Sequence, residues 1–221
     1  MQKSNLFEFE LPHLNISLSL IQHADSLNHG TTIWDSSIIT SKYLYQTLSP
    51  SLRLYSNNNS SIVSTKKTCI ELGSGCGLLG LVMCSLGFST TLTDLSEVVN
   101  NVLSLNVTRN LTILNSNNDD DSNPFKAEAK VLDWTKLYES SSLLPYYDYI
   151  VSTDCIYKLD LLSHFISCLK HFSNTKTLVV CGLEKRDPIV VERFLELCKK
   201  IDENNCFFEK KYFSEKIRND N

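Results

Sequence analysis

No stretch of this 221-residue chain approaches the roughly 20 consecutive apolar residues that a membrane-spanning helix requires. The opening Met1-Gln2-Lys3-Ser4-Asn5 leads into an alternating polar and apolar stretch, not the apolar core of a signal peptide. A protein of the cytosol or nucleus is therefore expected, with no membrane partner. Basic charge is scarce too: 21 Lys and Arg stand against 25 Asp and Glu, a formal net charge of −4. Such a chain has no general basic surface to grip phosphates, so nucleic acid is not an expected partner. Cys-x-x-Cys pairs are also absent. The eight cysteines (69, 76, 84, 155, 168, 181, 198 and 206) lie mostly inside apolar segments. Buried free thiols fit that pattern better than disulfides or zinc, and no metal is expected.

Hydrophobic residues make up 42% of the chain, enough for one domain spanning 1–221 to bury a core. Leu14, Ile16, Leu18 and Leu20 alternate with polar residues as in a half-buried strand, and Ile38, Ile39, Lys42, Tyr43 and Tyr45 suit a helix beginning near Asp35 or Ser36. Residues 1–50 thus read as an N-terminal accessory strand and helix, and 67–221 as the core. The polar tracts 56–60 and 115–121 are too poor in apolar residues to pack and read as solvated loops. From Lys67, strands at 68–72, 90–93, 128–132, 147–153, 177–182 and 207–213 alternate with helices at 78–86, 96–109, 160–172 and 188–200. Repeated βα units predict an α/β fold with a mainly parallel sheet covered on both faces. Sheets of this kind bind ligands beyond the carboxyl ends of their strands, at the switch point of strand order. Gly73 to Gly77, Asp94, Asp133-Trp134 and Asp154 all fall there.

The segment Glu71-Leu72-Gly73-Ser74-Gly75-Cys76-Gly77 joins a strand to a helix. Its glycines let the backbone turn sharply and approach a ligand with no Cβ in the way. Gly75-x-Gly77-x-x-Gly80 alone also matches the fingerprint that seats a dinucleotide pyrophosphate on a helix N-terminus. Two acids shift the balance. Glu71 repels a pyrophosphate but supports a ligand bearing an ammonium and a sulfonium, the chemistry of S-adenosylmethionine. Asp94 ends the next strand, where an acid accepts hydrogen bonds from ribose hydroxyls. The plainer alternatives are a surface charge at Glu71 and a helix cap at Asp94.

Four separated motifs, Ile33-Trp34-Asp35-Ser36-Ser37, Glu71 to Gly77, Asp133-Trp134 and Thr153-Asp154-Cys155-Ile156-Tyr157, resemble the family of seven-β-strand protein-lysine methyltransferases over about residues 30–216. The resemblance implies a Rossmann-like seven-stranded sheet, S-adenosylmethionine as cofactor and the lysine of a protein as acceptor. It implies cofactor contacts at Trp34, Glu71, Gly73, Ser74, Gly75, Gly77, Asp94, Trp134 and Thr153. For the two tryptophans, core packing is the alternative; an aromatic face is also favourable to a sulfonium cation. Cys76 stands where relatives commonly have Thr. The wording at Ala129-Lys130-Val131-Leu132, Asp154 to Tyr157 and Phe208-Glu209-Lys210-Lys211 is similar to members acting on an AAA-ATPase of the valosin-containing type, with members acting on Hsp70 chaperones as siblings. The chain itself is expected to act as a monomer.

The same resemblance makes Asp154 and Tyr157 the catalytic pair. A carboxylate there can hold the acceptor amine, and Tyr157 forms an aromatic wall with a hydroxyl. Helix capping by Asp154 and packing by Tyr157 are the alternatives. One departure stands out: Phe213 to Asn221 is polar where relatives carry a seventh, antiparallel strand, so either the chain is shortened or the sheet lacks that strand, which would expose an edge. The rival functions are a nicotinamide-nucleotide oxidoreductase on the same glycine loop and a non-catalytic cofactor-binding module.

Overall fold

The structure, a computed structural model, describes residues 5–23, 29–56, 66–117 and 124–202. Phe7, Phe9 and Leu11 alternate with polar residues in β1 (Asn5–Leu11), which pairs antiparallel with β2 (Ile16–Gln22). The strand expected over 14–20 is β2, moved two residues along because Leu14 belongs to the turn at Pro12–Leu14, closed by a left-handed Asn15. Its partner β1 was not expected as a strand. Helix α1 (Asp35–Ser56) begins where expected and runs on through Pro50.

The core follows as β3 (Thr68–Leu72), α2 (Leu78–Ser85), β4 (Ser89–Asp94), α3 (Ser96–Val98), a π-helical stretch over Val99–Leu103, α4 (Ser104–Ser116), β5 (Lys126–Val131), β6 (Tyr149–Thr153), α5 (Leu159–Phe172), β7 (Leu178–Gly182) and α6 (Pro188–Asp202). The helix expected over 96–109 is therefore a longer, π-interrupted run, and it absorbs residues 115 and 116 of a tract read as loop. The strands expected at 128–132 and 147–153 begin at 126 and 149 instead. The strand expected at 207–213, and with it the question of a seventh, lies outside the described residues, as do 57–65 and 118–123.

Strands β3 to β7 form one parallel sheet in the order β5-β4-β3-β6-β7. The chain runs outward from β3 to β5, then returns to β6 on the other side, so the switch point lies between β3 and β6. Alternation along β3 sends Cys69 to one apolar cluster, with α2, α4 and the hairpin, and Ile70 and Leu72 to the other, with α5 and α6. Helix α2, wholly buried, has no polar face because it lies between the sheet and other elements.

The hairpin is fastened to α4 by two fully buried asparagines. Asn110 accepts from the Ser19 N–H and donates to the Ser19 carbonyl, both at 2.9 Å. One turn earlier, Asn106 treats Ile21 the same way at 2.7 and 2.9 Å. Spacings of four on a helix and two on a strand match in length, so two amides stand in for a neighbouring strand along the edge of β2. Asn106 also donates to the Cys76 carbonyl at 2.9 Å, which ties the hairpin to the glycine loop. Truncating Asn110 leaves two buried backbone groups unpaired, so Asn110→Ala is expected to destabilise the fold by about 2–4 kcal/mol, read as a lower urea midpoint.

Candidate active site

The loop after β3 is shaped by contacts on every side. Gly73 has φ +69°, and a Cβ there would lie 2.6 Å from Cys155 Sγ and 3.2 Å from the Trp134 ring. At Gly75, φ +54°, the obstacle is the Gly30 carbonyl oxygen at 3.1 Å. Gly73 has no room for a side chain, and at Gly75 the left-handed backbone and the nearby carbonyl both strain one. The Ser74 N–H donates to the Thr93 carbonyl at 2.9 Å and Gly77 N–H to the Ser74 carbonyl at 2.7 Å, so the loop is held to β4 and to itself.

Asp94 closes β4 with its carboxylate turned onto this loop. Oδ2 accepts from Gly75 N–H at 2.8 Å and Oδ1 from Leu95 N–H at 2.7 Å. Burial pushes its pKa up, partly offset by these two donors. Helix α3 has no side-chain cap, so Asp94 is not spent as a conventional N-cap. Each oxygen retains a lone pair for a hydroxyl donor. Beside it a cleft of about 530 Å³ opens between the ends of β4 and β5, bordered by Leu95, Val131, Leu132 and Asp133.

Glu71 is fully buried and points beneath the loop rather than into solvent. It shares its face of β3 with Cys69, toward α2, where Oε2 accepts from Gly80 N–H at 3.0 Å. Oε1 is buried with no hydrogen-bond partner among the described residues. Desolvation raises this carboxyl from 4.5 to about 8. The surface-charge alternative therefore fails. The dinucleotide alternative loses ground as well, because a donor at the helix start is already taken by a carboxyl where a pyrophosphate would need it.

Trp134 follows β5 in a 3-10 turn over Trp134–Glu139, started by Asp133, whose Oδ1 accepts from Thr135 N–H at 2.9 Å. The indole meets Phe165 edge-on at 5.1 Å and borders Gly73, so Trp134 packs against the core and also faces the loop.

Across the switch point, Thr153 ends β6 opposite Gly182 of β7, and Asp154 follows in the left-handed region at φ +55°. Asp tolerates that conformation better than most residues. The twist is fixed by the Asp154 N–H donating to the Gly182 carbonyl at 2.9 Å. Helix α5 has Lys158 as N-cap with no side-chain hydrogen bond, so Asp154 does not cap it. The Asp154 side chain is only 14% exposed and pairs with Arg186, Nη2 to Oδ2 at 2.7 Å. The Arg186 guanidinium lies 4.6 Å from the centre of the Trp34 ring, while its Nε holds Glu184 at 3.1 Å. Tyr157, three residues on, is half exposed with Lys158 Nζ 5.8 Å from its ring centre, its hydroxyl kept protonated by a pKa that burial raises.

All eleven residues marked out in the sequence thus lie at or beneath the carboxyl edge of the sheet. Three were missed: Gly30, Arg186 and Asn106. Only Arg186 left a signal, as a cation shortly after the carboxyl end of β7. The seven described cysteines are free, five of them buried.

The family model described as lysine methyltransferase matches residues 14–202, and the chain belongs to that family. The family is one of S-adenosylmethionine-dependent protein-lysine methyltransferases with a Rossmann-like sheet. The Xenopus tropicalis protein N-lysine methyltransferase METTL21A is 26% identical over 173 residues, 78% of this chain and 69% of that protein. The Bos taurus protein-lysine methyltransferase METTL21E is 25% identical over 177 residues, 76% of this chain; the matched part is 53% of that relative's length. Among solved structures, a SAM-dependent methyltransferase from Agrobacterium tumefaciens shares the fold, with a TM-score of 0.53 at 12% identity, covering 89% of this chain and 59% of that one.

The buried Glu71 makes a prediction about stability. Its folded pKa is raised, so the neutral carboxyl is favoured in the fold and its contribution is complete below 4.5, then is lost as pH rises toward about 8. Glu71→Gln keeps the shape without the titration. The variant is expected to match the parent near pH 4.5 and to exceed it in urea midpoint at pH 8; an equal difference at both pH values would show that Glu71 does not titrate this way.

Proposed function

We propose that this chain transfers a methyl group from S-adenosylmethionine to the ε-amine of a lysine in another protein, without a metal or a covalent enzyme intermediate. The observation that carries the reading is Asp154. Asp94 gives its carboxylate to backbone donors and Asp133 to Thr135, whereas Asp154 presents its carboxylate to a cationic side chain beside an aromatic face.

When bound, S-adenosylmethionine supplies a sulfonium methyl, the S–C bond breaking as the N–C bond forms and the electron pair staying on sulfur. The chain's own residues do the rest. The glycine loop, with Asp94 and the faces of Trp34 and Trp134, gives the donor a seat with a ribose acceptor and apolar walls. Unbound lysine titrates near pH 10.4 and arrives as an ammonium. Asp154 holds that cation, orients it and passes its proton toward solvent, while Tyr157 walls one side and offers its hydroxyl.

We further propose an acceptor of the valosin-containing AAA-ATPase or Hsp70 chaperone type, on the motif wording noted above, met in the cytosol or nucleus by a monomeric enzyme. Incubating each purified candidate with tritiated S-adenosylmethionine and the chain separates the two.

Asp154→Asn keeps the side-chain shape and the left-handed backbone but removes the charge. It is expected to slow methyl transfer by at least about 100-fold while leaving S-adenosylmethionine affinity within about threefold. Asp94→Ala is expected to weaken cofactor binding by about tenfold or more, read by calorimetry. Unchanged transfer in the first variant removes Asp154 from the mechanism, and unchanged binding in the second removes the ribose role.

A further inference from the structure

Two features meet at Arg186. Its guanidinium reaches from the segment between β7 and α6 to the Asp154 carboxylate at 2.7 Å, and the same group lies over the Trp34 ring at 4.6 Å. A cation held between a carboxylate and an aromatic face is what an acceptor lysine must become in this site. We propose that Arg186 is an internal stand-in for the acceptor lysine, so that an incoming ammonium binds by displacing it from Asp154. The idea rests on the lysine-acceptor reading of Asp154 given above.

The surroundings suit a removable plug. Asp154 is only 14% exposed on its side chain, whereas that of Arg186 is 46% exposed, so the carboxylate stays fixed while the guanidinium has solvent to move into. The backbone locks Asp154 through Gly182, whereas among the described residues the arginine head is held only through side chains, those of Asp154, Glu184 and Trp34. Arg186 also leaves with an anion attached, because Nε is paired to Glu184 two residues away on the same segment. Displacement thus exchanges one charge-assisted contact on Asp154 for another and leaves the guanidinium neither buried nor stripped of its partner. The plug keeps the carboxylate from standing unpaired between turnovers and sets a threshold that a weakly held amine does not pass.

The test uses n-butylammonium as a probe for the lysine side chain. It is titrated against the whole chain in the presence of S-adenosylhomocysteine and followed by tryptophan emission, since Trp34 lies under the departing guanidinium. Arg186→Ala is expected to bind the probe about tenfold tighter than the parent, the worth of one exposed ion pair plus one cation–π contact. Arg186→Lys, which restores a competing cation, returns the affinity toward the parent value. In Asp154→Asn the plug has lost its anchor, so adding Arg186→Ala to that variant brings no further gain. Thermal melting of each variant confirms the fold. Equal affinity in parent and Arg186→Ala, weaker binding in Arg186→Ala, or no binding in either overturns the proposal. No methyl transfer enters this measurement. A chain that labels a protein acceptor but shows no gain loses only the plug, and one that shows the gain but labels no protein loses only the assigned reaction.

Discussion

The site depends on a shortage of room in the turn that joins β3 to α2. Backbone there lies so close to its neighbours that a methyl group at Gly73 would have to displace Cys155, and one at Gly75 would press on the Gly30 carbonyl from a strained, left-handed backbone. Closeness of that kind is costly in chain entropy and useful in chemistry, because backbone donors and acceptors can reach a ligand directly. It also explains why residues from β4, β5, β6 and the segment before α1 face one small volume. They are the walls that the loop is pressed against.

Two acids support that loop by opposite routes. Asp94 stands at its outer side and accepts from the loop backbone through one oxygen and from Leu95 N–H through the other. Glu71 stands beneath it, hidden from water, and holds the first turn of α2 through Gly80. Burial raises both carboxyls, Glu71 to about 8. A carboxyl raised that far is mostly uncharged near neutral pH, so it acts here as a hydrogen-bond acceptor and not as a surface charge. A pyrophosphate is disfavoured because the Gly80 N–H it would use at the helix start is already taken. Choice between two cofactor classes that share a glycine pattern therefore turns on where one carboxyl points, and alternation along a five-residue strand decides that.

Much of this was legible in the sequence because it is local. Strand-loop-helix order, the glycine spacing and the acid at each strand end are written within a few residues of one another, and parallel pairing then carries them to one edge. What escaped is held by partners far apart along the chain. Arg186 meets Asp154 across 32 positions, and its place just after β7 marks a cation near the sheet edge without naming its partner. Asn106 and Asn110 read as polar residues on a helix surface until a strand some 85 to 91 positions earlier lies against them. The first strand was missed for a related reason. Phe7 and Phe9 alternate clearly, but a lone alternating run has no partner until the turn at Pro12–Leu14 brings β2 alongside.

Those distant contacts also change what the N-terminal part is for. A hairpin and a helix before a cofactor-binding core look like an accessory cover. Yet the segment leaving the hairpin lays Gly30 against Gly75 and delivers Trp34 to the guanidinium of Arg186. Helix α1 then presses Thr40 so near Gly182 that no Cβ fits there, and Gly182 is the residue whose carbonyl fixes the backbone of Asp154. At the other end of the hairpin, Asn106 passes its hold on β2 to the carbonyl of Cys76 inside the loop. The N-terminal elements thus touch the loop directly at Gly30, reach it again through Asn106 of α4, and meet the Asp154 carboxylate at one remove. Moving the hairpin or α1 therefore moves the glycine loop and Asp154 together, and under the proposed reaction it is their separation that an in-line transfer must keep constant.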